Sequence, residues 1–212
     1  MSDRTHQEPG SGRTLVLGSS SKYRAELLGR FGVPFEQESP DVDERAYDGR
    51  LAELGPEGLA LVLARAKADA LRREGGERWL LCADQVGVVA EGDGRRRLLS
   101  KPGEPERCVE QLMSLAGRTH RLVNGVVLLD EATGEARERV DVQELTMRDF
   151  SRAEAEAYVR DALPLDSAGG YRIEDRGILL FERIASDDFT GIIGLPLLST
   201  AGLLREVGLL PG

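Results

Sequence analysis

From Trp79 to Ala90 the chain reads Trp-Leu-Leu-Cys-Ala-Asp-Gln-Val-Gly-Val-Val-Ala, apolar at both of the alternating sets of positions that a strand sends to opposite faces. Such a strand must be covered on both sides, so the segment predicts the centre of a layered α/β domain. Asp84 lies in the middle of the run, and burying a carboxylate there is costly unless it is paired, hydrogen-bonded or bound to a metal. Either a function or a structural ion pair with a nearby arginine must account for it. In a regular strand Asp84 and Gln85 face opposite sides, so bringing both into one pocket calls for a bulge or a strand end.

The remaining segments supply the layers. Residues 14–18 read as a short buried strand, followed by Ser19, Ser20 and Ser21 and an amphipathic helix over about 22–31. Residues 34–38 alternate like a second strand, and 39–55 form an acidic loop with Asp41, Asp43 and Glu44, long enough to suggest a task. Pro56 and Glu57 open a helix to about residue 74, with Leu59, Leu63, Ala66 and Ala70 on its apolar stripe and Lys67 bordering it. A turn at 91–94 and a helix over 105–116 lead to two strand-like runs, 119–130 and 136–147, joined antiparallel through Thr133-Gly134. Ser151-Arg-Ala-Glu154 matches a capping box and opens a helix to about 163. A glycine-bearing loop (166–177), a strand (178–184) and a last helix (195–207) complete an α/β domain with a mixed sheet. No internal repeat or linker divides it, so residues 14–212 are expected to form one domain behind a disordered tail over 1–13.

Charge narrows the function classes. The formal net charge is −9, which repels nucleic acids and anionic membrane surfaces. The first 13 residues hold no apolar signal core and no later stretch has the length of a membrane span, so a cytoplasmic protein is expected. Cys82 and Cys108 lack metal-ligand spacing and read as small buried hydrophobes.

Among the 28 basic residues only Lys22, Lys67 and Lys101 are lysines. A compact ammonium suits a phosphate oxygen in a tight site where a planar guanidinium does not fit; chance is the alternative. Lys22 and Arg24 crowd the positive end of the first helix, which makes sense if an anion binds between them, the serine hydroxyls and the free backbone N–H groups. An ordinary serine cap with solvated basic residues explains the same pattern. The glycine spacing of a Walker loop is absent. In Ser100-Lys101-Pro102-Gly103 a stiff turn aims the lysine either inward or at solvent. In the loop 164–174 adjacent Gly169 and Gly170 permit close approach to a ligand, and Glu174 is either a solvated carboxylate or an acceptor for the N–H groups of a guanine.

In order, Leu-Gly-Ser19-Ser-Ser-Lys-Tyr23-Arg24, Asp41-Val-Asp-Glu44, Ala66-Lys67-Ala, Ala83-Asp84-Gln85, Lys101-Pro102, Leu115-Ala-Gly-Arg-Thr-His120, the Glu174 loop and Gly194-Leu-Pro196 resemble the Maf family of nucleotide pyrophosphatases over nearly the whole chain. The resemblance implies a Maf/ITPase-like α/β fold, an elongated mixed sheet with flanking helices and a central nucleotide cleft between two lobes. It implies hydrolysis of a nucleoside triphosphate to the monophosphate and pyrophosphate, with Asp84 as the proton acceptor for water and a divalent cation, Mg²⁺ or Mn²⁺, near Glu44 and Asp84. Ser19, Arg24, Lys67 and Lys101 would hold the triphosphate, and a homodimer is suggested. Three positions carry substrate choice in the family: Arg, Thr and Gln in the dTTP/UTP branch, an aromatic, Gln and Glu in the 7-methyl-GTP branch. Here they are Tyr23, Gln85 and Glu174, which favours 7-methyl-GTP, and an aromatic ring against a cationic methylated base gains cation–π attraction. Lys22 stands where the family usually has proline, and Asp175 where glycine is common. The alternatives are a dTTP/UTP pyrophosphatase and a nucleotide-binding regulator of septum formation.

Overall fold

In a computed structural model of the chain, residues 12–212 are described. Seven strands form one mixed sheet: β1 (Leu15–Gly18), β2 (Phe35–Glu38), β3 (Trp79–Ala90), β4 (Arg96–Leu99), β5 (Thr119–Asp130), β6 (Ala136–Met147) and β7 (Phe181–Ala185). Their order is β2-β1-β3-β5-β6-β7, with β4 also paired to β3. β1 runs parallel to both β2 and β3, which requires crossovers, and α1 (Lys22–Gly29) and α2 (Leu51–Leu71) supply them. From β3 to β7 the pairing is antiparallel. The helices α3 (Pro105–Leu115), α4 (Arg152–Ala162), α5 (Thr190–Ile193) and α6 (Leu197–Glu206) complete the layers.

The two-sided strand behaves as its composition demands. Leu80, Cys82, Val86 and Val88 face α2, while Trp79, Leu81 and Ala83 face the opposite layer with Leu27, Leu28, Leu203 and Leu204 from α1 and α6. Farther along that second face a separate core gathers Val89, Leu122, Leu145 and Met147 under Cys108, Leu112, Tyr158 and Val159 of α3 and α4. Two lobes therefore share one sheet, and β3 crosses between them.

Some boundaries differ from expectation for local reasons. The second long helix begins at Leu51 and breaks at Gly55, whose φ of 66° is left-handed, before Pro56 restarts it. Its buried stripe is Leu59, Ala60, Leu63, Ala64, Lys67 and Ala68, so Lys67 lies within the stripe and Ala66 and Ala70 lie outside it. The phase is set where the helix crosses β5 at Gly125: a Cβ there would come within 2.4 Å of the Ala60 carbonyl carbon. Arg96–Leu99 forms β4, which the charge of Arg96 and Arg97 conceals, and the segment expected as a strand from residue 178 begins as 3₁₀ turn and becomes β7 only at Phe181. The Ser151–Glu154 capping box is present as expected.

Of the tail expected over 1–13, residues 1–11 lie outside those described; Arg13 is held, pairing with Asp130 at 2.5 Å and lying 4.5 Å from the Trp79 ring centroid. Among the described residues no helix is long and apolar enough to cross a membrane.

Candidate active site

The cleft originates in a gap in the sheet. On the edge of β3 opposite β5, β1 covers the strand only as far as Cys82, and β4 takes over only at Gly87. Among the described residues no strand lies beside 83–86 on that edge. The pairing with β5 is unbroken, Asp84 opposite Gly125 and Gln85 opposite Asn124, so no bulge brings the two side chains together. A cavity of about 500 Å³ opens at the missing edge and reaches both faces of the strand, which is how Asp84 from one face and Gln85 from the other line the same space. Arg24 occupies part of the gap: its Nη1 donates to the Ala83 carbonyl at 2.8 Å and its Nε to the Gly194 carbonyl at 2.8 Å. The residue thus ties α1, β3 and the loop before α6 together, and its Nη2 makes no hydrogen bond among the described residues.

Asp84 is buried in an ion pair, and its partner is Lys67 where an arginine was expected. The Lys67 ammonium, itself buried on α2, donates to Asp84 Oδ1 and also lies 2.6 Å from Glu44 Oε1. Burial pushes the Asp84 carboxyl above its usual range, with the positive charges of Lys67 and Arg24 pulling the other way. Glu44 sits on the 3₁₀ turn Glu44–Arg50, capped by Asp43. Burial raises its pKa too, but the Lys67 hydrogen bond and the charges of Lys67, Lys101 and Arg24 outweigh that, and the net shift is downward.

The serine turn lines the same cavity. Ser19 is buried, its Oγ accepts from the Ser21 amide at 3.1 Å, and Ser21 caps α1 by accepting from the Arg24 amide at 3.4 Å. Gln37 of β2 braces the turn, donating to the Ser19 carbonyl at 2.7 Å. Lys101 approaches from the other lobe, where the amide of Gly103 bonds the Leu165 carbonyl at 3.0 Å and joins this turn to the glycine loop.

That loop forms the opposite wall. Arg172 lines the cavity and donates to Asp166 Oδ1 at 2.5 Å. Tyr171 stands behind it, its hydroxyl 2.6 Å from His120 Nε2 and its ring edge-on to Phe181 at 4.9 Å between centroids. Burial lowers the His120 pKa to about 4, so His120 is a neutral hydrogen-bond partner of that tyrosine at pH 7. Tyr23, Gln85 and Glu174 all line the cavity, with Glu174 exposed at its mouth.

Every residue singled out from the sequence as a site candidate, Ser19, Tyr23, Arg24, Glu44, Lys67, Asp84, Gln85, Lys101 and Glu174, therefore borders one cavity. Missed were Gln37, Asp166, Tyr171 and Arg172. The signal for Arg172 was its place in the glycine loop, but in a chain with 28 basic residues one more arginine does not stand out.

Cations from both lobes converge on a space that also holds the adjoining carboxylates of Glu44 and Asp84, with Asp166 and Glu174 on the opposite wall, which suits a polyanion bound with a reactive water. Glu44 and Asp84 fit a hard cation that takes one or two carboxylates and completes its shell with phosphate oxygens and water, since both already converge on a single ammonium. Among the described residues no group of three or more His, Cys, Asp or Glu is placed to hold a metal, so a cage made by the protein alone does not fit.

Residues 14–207 match the model of the family described as Maf-like protein. The chain is 40% identical over 195 residues to the 7-methyl-GTP pyrophosphatase of Cupriavidus metallidurans, covering 92% of this chain and 93% of that one. The 7-methyl-GTP pyrophosphatase of Pseudomonas putida is 38% identical over 196 residues (92% and 97%), and that of Bdellovibrio bacteriovorus 38% over 197 residues (93% and 98%).

Proposed function

Because this chain belongs to the Maf-like protein family, we propose that its cleft hydrolyses 7-methyl-GTP to 7-methyl-GMP and pyrophosphate. The observation that carries the reaction is Asp84: an otherwise apolar strand buries one carboxylate where its edge is open, among cations. A carboxyl whose pKa is lifted by burial is a better proton acceptor than a solvated one. Water attacks the α-phosphorus, the bridge oxygen to the β-phosphorus leaves with pyrophosphate, and Asp84 takes the proton of the attacking water.

The triphosphate is held by Lys67, Lys101, Arg24 and Ser19. An ammonium has three N–H donors, and Lys67 uses two on Asp84 and Glu44, which leaves the third for a phosphate oxygen. A phosphate on that third N–H shares the ammonium's charge, weakens its hold on Asp84 and favours protonation of that carboxylate. A divalent cation held by Glu44, Asp84 and the phosphates would offset negative charge and lower the pKa of water. Tyr23, Gln85 and Glu174 take the base, the ring stacking on the cationic methylated purine and the carboxylate accepting from its N–H groups. The free thiols of Cys82 and Cys108 accord with action in the reducing cytoplasm.

The test is pyrophosphate release from 7-methyl-GTP, GTP, CTP, UTP and dTTP, with EDTA and after adding back Mg²⁺ or Mn²⁺. The expected result is a clear preference for 7-methyl-GTP that EDTA abolishes and the metal restores. A preference for UTP or dTTP overturns the substrate, full activity in EDTA overturns the metal, and no release from any nucleotide overturns the reaction.

A further inference from the structure

Behind Gln85 runs a line of polar side chains that hydrolysis does not use. Gln85 Nε2 donates to the carbonyls of Gly191 (2.7 Å) and Ile192 (3.2 Å) and lies 3.4 Å from Asn124 Oδ1. Asn124, opposite it in β5, donates through Nδ2 to the same Gly191 carbonyl and to Gln143 Oε1, both at 2.9 Å. Gln143 of β6 donates in turn to Asp141 Oδ1. Asn124 and Gln143 are fully buried, and α5 presses onto the line so closely that a Cβ on Gly191 would lie 2.2 Å from Gln143 Nε2.

The line has a direction. An ionised carboxylate only accepts, so Gln143 must turn its NH₂ to Asp141 and its oxygen to Asn124. Asn124 must then present NH₂ to Gln143 and its oxygen to Gln85. Gln85 presents NH₂ inward, to the Gly191 and Ile192 carbonyls first and to Asn124 Oδ1 as the longest of three contacts, and its oxygen, which takes no hydrogen bond among the described residues, is left for the cleft. Burial and the neighbouring Asp188 and Asp187 raise the Asp141 pKa to about 6, so it is an acceptor above neutrality.

We infer that Asp141, acting through Gln143 and Asn124, reinforces the orientation that the Gly191 and Ile192 carbonyls give the Gln85 carboxamide, so that the cleft offers the nucleobase a hydrogen-bond acceptor and selects bases with a ring N–H donor at that edge. The three are positioning residues for specificity, and the inference rests on Gln85 contacting the base.

The test compares kcat and KM for 7-methyl-GTP and for CTP, whose ring carries no N–H, in Gln143→Met, Asp141→Ala, Gln85→Ala and the double variants with Gln85→Ala. Gln143→Met breaks the line within the core, and Asp141→Ala removes its end at a half-buried position without emptying the core; thermal melts accompany both. Gln143→Met or Asp141→Ala alone is expected to lower the 7-methyl-GTP to CTP ratio of kcat/KM roughly three-fold, part of one hydrogen bond's worth because the α5 carbonyls still hold Gln85, through KM. In the Gln85→Ala background neither lowers it further. If Gln85→Ala lowers the ratio and the other two leave it unchanged, weaken both nucleotides equally, or add to Gln85→Ala, the relay is overturned and the role of Gln85 stands. If Gln85→Ala itself leaves the ratio unchanged, Gln85 does not read the base and both fall.

Discussion

The Lys67 ammonium on α2 donates to the buried Asp84 carboxylate at the open edge of β3. Both side chains lie in layers that are otherwise apolar, so each is the other's main compensation for leaving water. The resting cleft thus holds a buried carboxylate against an ammonium, and Glu44 shares that ammonium at 2.6 Å.

Lys67→Met leaves Asp84 as an uncompensated buried charge. Removing one partner of such a pair costs about 3 kcal/mol or more, measured by urea denaturation at pH 8. The Asp84 pKa, already raised, rises further without the ammonium. The penalty belongs to the ionised form, so it is present above the folded pKa and shrinks as pH falls through it toward the unfolded value of about 4. Adding Asp84→Asn recovers most of the loss. An equal penalty at pH 8 and pH 5 would show that packing, and not charge, dominates.

Asp84→Asn keeps the shape of the side chain and removes the proposed proton acceptor. The kcat for pyrophosphate release is expected to fall roughly 10³-fold, within the range for losing a general base, while calorimetry still shows nucleotide binding. Activity within ten-fold of the parent protein would exclude Asp84 as the base.

Legibility from sequence followed the cost of burial. Asp84 announced itself because a carboxylate is conspicuous in an apolar run, and the three long strands kept their expected ends because they are apolar or alternating throughout. Asn124 and Gln143 gave no such sign: a polar residue in a strand reads as facing solvent until pairing shows what covers it. The phase of α2 was ambiguous because alanines at 60, 64, 66, 68 and 70 make several stripes equally apolar, and only the close crossing at Gly125 chooses one. The gap between β1 and β4 depends on which strands meet β3 and where they stop, which is tertiary information.

Gly125→Ala tests that crossing. The added methyl would meet the Ala60 carbonyl carbon and oxygen at 2.4 and 2.5 Å and the Leu61 nitrogen at 2.6 Å, all backbone, so α2 must lift from the sheet and carry Lys67 from Asp84. A loss of about 3 kcal/mol or more is expected, with activity falling alongside. Gly202→Ala in α6 is the control: its Cβ meets nothing within 4 Å, and it should stabilise by about 0.5 kcal/mol. Similar melting temperatures for the two variants would refute the tight crossing.

Asp141→Asn should make the protein more stable, but only in one pH range. The folded pKa of Asp141 is raised to about 6 by burial and by the Asp188 and Asp187 carboxylates, against about 3.9 for an unfolded aspartate. Between those values the folded chain holds more protons than the unfolded one, so stability from this group is present at low pH and lost as pH rises through about 6. Asparagine carries no charge to repel and removes that loss. After discounting for solvent at a half-buried position, the variant is expected to exceed the parent by about 1 kcal/mol at pH 7.5 and to match it at pH 4. Urea denaturation across pH 4–8 measures the difference; a gap that does not change with pH would mean that the Asp141 carboxylate is not strained by its neighbours.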